Sequence, residues 1–233
     1  NSCSTAACTG GAYYDGVDAA TTITGTSFTG NVAVGGGGAI YANSAITMEV
    51  VSFEGNRSGA YGGAANISGT LTLTNARFIS NWATNGGGAI SKSGKAGAPA
   101  RLYNTLFARN VTPGNGGAIY LTATDPVDIV YTTIASPTLG AGAAIFVNSG
   151  IVGITNSIVS GYISSIRQLA GDVTSDHNQL NVAPAGQVTA TQTISGPHYL
   201  LFVDAAGGDY RPALGSPAPT HGIYLGAATD LSG

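Results

Sequence analysis

The sequence predicts an all-β chain wound into a solenoid of roughly six to eight stacked coils with capped ends, and three observations carry that prediction. First, Phe-x-x-Asn recurs as Phe28 to Asn31, Phe53 to Asn56, Phe78 to Asn81 and Phe107 to Asn110, with the phenylalanines 25, 25 and 29 residues apart. Second, a glycine pair ending at Gly38, Gly63, Gly88 and Gly117 follows at the same intervals, each time leading into Ala and then Ile40, Ala65, Ile90 or Ile119. Third, a strand-like segment precedes each later Phe, and Leu71-Thr72-Leu73-Thr74 alternates apolar and polar as a half-buried strand does. A coil of this size cannot bury its apolar face alone. Stacking on a neighbour at about 4.8 Å pairs its strands in parallel and lays like residue on like residue.

Each repeated residue then has a structural task. Phe stacks on Phe and Ile on Ile inside, while a column of Asn passes amide hydrogen bonds from coil to coil. Glycine supplies positive φ and close backbone approach at the turn. A glycine-rich phosphate cradle requires a strand–loop–helix setting, which these runs lack, so they are turns.

In chain order, residues 1–20 do not match the repeat and are expected to form an N-terminal cap. Cys3 and Cys8, the two cysteines of the chain, are expected to close a local disulfide there. Residues 21–160 carry the repeat coils. Within them Lys92 to Pro99 adds the extra residues of the 29-residue interval and holds both lysines, Lys92 and Lys95, so a projecting loop is expected. The fifth coil is degenerate, with Pro137 in place of the corner Asn, and in the sixth Val159 follows Ile134 by 25 residues. Residues 161–198 lose the period and are expected to leave the stack as an irregular excursion. Residues 199–233, punctuated by Gly and Pro, are expected to close it.

Charged residues make up 8% of the chain, against about a quarter in ordinary soluble proteins. With a net charge of −3 there is no basic footprint for nucleic acid, and no apolar run approaches a membrane span. Acidic residues do not recur in one column: the position of Glu49 holds Thr74, Tyr103 and Val130 in later coils, and Asp125 and Asp128 share no basic partner. No catalytic residues, cofactor or metal are expected from the repeats. The candidate ligand contacts are Lys92 and Lys95 in the inserted loop, and Asp172, Asp176 and His177 in the excursion. Asp176-His177-Asn178 has the composition either of a ligand site or of a polar turn.

The four Phe-x-x-Asn copies with their Gly-Gly-Ala(-Ile) partners resemble the repeats in passenger domains of chlamydial polymorphic outer-membrane proteins. The segments Asn156 to Val159 and Asp209-Tyr210-Arg211…Gly215-Ser216-Pro217…His221-Gly222 are similar to those of secreted β-helix proteins of the pectate-lyase-like superfamily. The resemblance implies a right-handed parallel β-helix and adhesion at a cell surface. The resulting expectation is a non-catalytic extracellular or cell-surface protein, structural or adhesive. Its expected partners are further copies of itself in filaments, or cell-surface glycans and proteins. The alternative is a carbohydrate-active enzyme, a polysaccharide lyase or glycoside hydrolase, on the same fold.

Overall fold

The computed structural model describes residues 2–3, 8–16, 20–94, 96–195 and 201–217. Its strands stack in parallel as a β-solenoid, and no helix occurs among the described residues. Each turn lays down strands in three main walls. The first wall runs through Tyr13–Asp15, Ile40–Ala42, Ala65–Ile67, Ile90–Ser93 and Ile119–Thr122 into the later parts of Thr133–Ser149 and Ile158–Gln168. The second runs through Thr21–Thr24, Ile46–Glu49, the first half of Leu71–Ile79, the first half of Ala100–Ala108, Val127–Val130, Ile151–Thr155, Asp172–Asp176 and Val188–Thr191. The third carries the phenylalanines, from Ser27–Thr29 and Ser52–Glu54 to Gln179–Leu180 and Ile194–Ser195. A short fourth column pairs Ser2–Cys3, Val32–Ala33, Arg57–Ser58 and Trp82–Ala83.

The core lies along the axis and is made of columns. Phe28, Phe53, Phe78 and Phe107 stack with ring centroids 4.8, 4.6 and 4.9 Å apart and planes within 15°. Their column continues with Ile134, Val159 and Leu180, all fully buried. A second column runs Tyr13, Ile40, Ala65, Ile90, Ile119, Ile145 and Ile166. Period-two alternation is literal here: the second wall buries Ile46 and Met48 while Thr47 and Glu49 face out.

Three parts of the chain differ from expectation. Residues 161–195 do not leave the stack. They go on pairing in parallel, but the step shortens from 25 residues (Thr132 to Ser157) to 21 (Ser157 to Asn178) and then 15 (Asp176 to Thr191). Turns lost residues while strands kept their places. Nor are residues 1–20 merely a cap: Gly10-Gly11-Ala12-Tyr13 occupies the rung beside Gly37-Gly38-Ala39-Ile40, with Gly11 N donating to Gly38 O and Tyr13 paired with Ile40. Finally, the described part of the closing segment forms an antiparallel hairpin, Phe202–Asp204 with Asp209–Pro212, against the side of the third wall.

Candidate functional site

The Asn column is an internal ladder. Asn56 Oδ1 accepts from the backbone N–H of Asn31 at 2.9 Å and from Asn31 Nδ2 at 2.8 Å. Its own Nδ2 donates back to the Phe28 carbonyl and forward to Asn81 Oδ1, both at 2.9 Å. The pattern repeats from Asn56 to Asn81 and from Asn81 to Asn110, and all four residues are buried. The bonds of these amides run from coil to coil, which satisfies backbone groups that the corner would otherwise orphan.

The two glycines of each pair answer two different demands. The first (Gly37, Gly62, Gly87, Gly116) holds φ between 63° and 71°, a region closed to most side chains. The second lies under a crossing backbone: a Cβ on Gly63 would stand 2.6 Å from Trp82 N and C, and one on Gly38 would stand 2.7 Å from Arg57 N and C. Gly117 differs in its neighbour, since the fully buried Tyr162 ring packs against it and donates its hydroxyl to the Asn110 carbonyl at 3.2 Å.

A second ladder escaped sequence reasoning. Ser157 Oγ accepts from Thr132 N at 3.1 Å, and Asn178 Oδ1 accepts from Ser157 N at 2.7 Å. Asn178 Nδ2 donates to the Ile154 carbonyl at 2.8 Å. The task matches that of the Asn ladder, but the residue type changes, so no motif marks it.

The segment Asp176-His177-Asn178 is a corner of the stack. His177 has φ 52° and continues a left-handed column through Gly25, Val50, Asn75, Asn104, Tyr131, Asn156 and Gln192, with φ between 45° and 57° throughout. Its Nδ1 lies 3.0 Å from Asp176 Oδ1. The Thr191 hydroxyl, donating at 2.7 Å, and then the His177 ring hold the Asp176 carboxyl below the ordinary carboxylate range. Asp172 begins the same strand and is exposed, paired in register with Ile151.

Lys92 is not in a projecting loop. It occupies an inward column of the first wall, between Ile67 and Leu121, at 1% exposure. Its Nζ donates to the Ser93 carbonyl at 2.8 Å and the Ser68 carbonyl at 3.4 Å. Burial pushes the amine down to about 8, with Asp125 partly offsetting the fall. Asp125 in turn fastens the inserted loop, accepting from Ala98 N at 3.1 Å. Lys95 and the Cys3 side chain lie outside the described residues, as do His198 and His221. Cys8 is disulfide-bonded.

Outside the core, the first wall shows the column Tyr14, Tyr41, Asn66, Ser91, Tyr120, Phe146 and Arg167. Tyr14 stacks on Tyr41 at 5.6 Å and Tyr120 on Phe146 at 5.5 Å, with Arg167 over the Phe146 ring at 5.8 Å. Stacking covers one face of each of these rings, while Tyr14, at the end of the column, stays largely exposed. The described candidate contacts are not brought together: Lys92 sits in the first wall beside Asp125, whereas Asp172 and Asp176 belong to the second wall several rungs away, with His177 at the corner after it. Among the described residues, no group of three or more His, Cys, Asp or Glu could hold a metal ion.

The Chlamydia polymorphic membrane protein repeat matches this chain at residues 25–43 and 104–122. Each match contains one Phe-x-x-Asn corner and reaches through its glycine turn, the first into Ile40-Tyr41 and the second into Ile119-Tyr120. No curated protein and no solved structure matches the chain. The repeat is that of a family associated with the outer membrane and cell surface, and a surface location is the coarse assignment it carries. The chain is a parallel β-solenoid, two segments of which are similar to the Chlamydia polymorphic membrane protein repeat.

Proposed function

We propose that this chain is a non-catalytic surface solenoid that works by contact, adhering through its outward columns and associating with further copies of itself. The observation that carries this reading is the commitment of the repeat: the Phe, Asn and Gly residues that recur are turned into the core or locked between coils. What varies from rung to rung is the outside, and the outside of a rigid scaffold is where binding residues are placed. Self-association is supported by the terminal rungs. Among the described residues, Thr21–Thr24 and Ser27–Thr29 at one end, and Val188–Thr191 and Ile194–Ser195 at the other, are paired on one side only. None of them carries the charge or proline that blunts a strand edge. Parallel joining of two copies would lay Thr189 and Thr191 over Thr22 and Thr24, continuing existing outward columns.

The test is sedimentation of the purified chain over a wide concentration range, with binding to cell-surface glycans and proteins measured in parallel. Growth of rods or fibres with concentration is the expected result; a monomer at every concentration with no surface binding overturns the reading. The enzymatic alternative is decided by incubating the chain with pectin, alginate and glycosaminoglycans, with and without calcium. Release of unsaturated or reducing products would establish it.

A further inference from the structure

The third wall changes character along the stack. Its outward positions are polar in the first two rungs, Ser27, Thr29, Ser52 and Glu54, whereas from the third onward Ile79, Leu106, Ala108, Ala135 and Ile158 form an apolar patch beside Arg77, Thr133 and Ser160. Although they point away from the axis, Leu106, Ala108 and Ala135 are at most 7% exposed, because the C-terminal hairpin covers them. Leu201, Phe202 and Tyr210 form the cover, with the Phe202 and Tyr210 rings edge to face at 5.6 Å. The hairpin tip is fastened as well. Arg109 Nη2 donates to the carbonyls of Ala205 at 3.3 Å and Ala206 at 2.5 Å, and Asp204 Oδ1 accepts from Gly207 N at 2.8 Å within the turn. Arg109 stands at a left-handed corner, φ 58°, in the column where earlier coils have Gly30, Gly55 and Ser80.

The buried cluster that holds the hairpin takes in the rungs of Ala108 and Ala135, and Ile79 and Ile158 of the two flanking rungs pack against it, so it spans four successive rungs. In a solenoid each rung otherwise touches only its neighbours, so opening can begin at an end and proceed rung by rung. We propose that the hairpin is a clasp that joins these four rungs into one cooperative unit and so determines how far the stack can open from its C-terminal end. The clasp acts on a surface the coils themselves made apolar, through a segment that returns from the last described rung to the middle of the stack. This inference is independent of what the surface binds.

Native-state hydrogen exchange on the whole chain tests it, with two variants. Arg109→Gly removes the guanidinium and leaves at the corner the residue that earlier coils use there, so the stack itself is unstrained. Phe202→Ala removes the larger contact. In the parent protein, amides of residues 71–159 exchange with one common protection. In the variants, protection of residues 127–159 falls relative to that of residues 46–54, by about tenfold for Arg109→Gly and about a hundredfold for Phe202→Ala. A change confined to residues 201–217, or an equal loss in every rung, overturns the clasp and leaves the hairpin a passive cover.

Discussion

Replacing Asn56 by Ala removes the centre of the ladder. Asn56 is fully buried, and its amide serves four partners: Asn31 N, Asn31 Nδ2, the Phe28 carbonyl and Asn81 Oδ1. Alanine leaves the Asn31 N–H and the Phe28 C=O without those bonds inside the stack, and an orphaned buried group costs about 1–3 kcal/mol. Two of them, with two side-chain amides also losing a partner, come to about 4 kcal/mol. That is a large part of the roughly 5–15 kcal/mol by which a domain is stable. Asn66 is the matched control. It is the same residue type ten positions on, but it faces outward in the first wall, and Asn66→Ala should change stability by less than about 0.5 kcal/mol. Urea unfolding followed by circular dichroism and by Trp82 fluorescence measures both. Equal costs for the two alanines, or less than about 1 kcal/mol for Asn56→Ala, would refute the assignment of the motif to scaffolding.

Two further outcomes are expected. Lys92 is protonated in both the folded and unfolded chain below pH 8. Above that, the folded amine, lowered to about 8, gives up its proton while the unfolded one, at 10.5, keeps it. The unfolded state then binds more protons, so stability rises with pH, by about 1 kcal/mol between pH 8 and 9. Tyr120, Tyr162 and Tyr210, all held above the ordinary phenol value chiefly by burial, act in the opposite sense only beyond that window. Melting temperatures across it should climb for the parent chain and stay flat for Lys92→Met; equal slopes would remove Lys92 from the account. Val50 holds φ 52° in the column where its neighbours are Gly25 and Asn75, a conformation unfavourable for a β-branched residue. Val50→Asn should therefore stabilise by about 1 kcal/mol in the same urea assay, and a loss of stability would show that its exposed side chain has a packing role.

How much of this was legible depended on whether one task was always given to one residue type. The ladder from Asn31 to Asn110 and the stack from Phe28 to Phe107 were readable because identity and interval were held together. The same phenylalanine column continues as Ile134, Val159 and Leu180, where any apolar side chain fills the space and the signature fades. Ser157 and Asn178 continue a ladder from Thr132 N with two different side chains because only a side-chain oxygen in reach of the previous coil's N–H is needed. The left-handed corners are set by backbone geometry, and Asn75, Tyr131 and His177 all comply, so His177 stood out as chemistry in the sequence and is a bend in the fold. Lys92 misled for a related reason: a lysine in an inward column is rare, and a loop was the natural expectation. Burial and two backbone carbonyls hold it there. Of the candidate contacts, the sequence carried residue types but not their placement, and placement separates Lys92 from Asp172, Asp176 and His177.

The most direct measurement is the exchange of side-chain amide protons of Asn31, Asn56, Asn81 and Asn110, resolved by NMR in the folded protein with and without candidate glycans. If these residues bind coil to coil, their Nδ2 protons should exchange far more slowly than those of Asn66 and be indifferent to added ligand. Exchange at the rate of free amides, with shifts on ligand addition, would mean that the repeat is a binding surface and that something else holds up the stack.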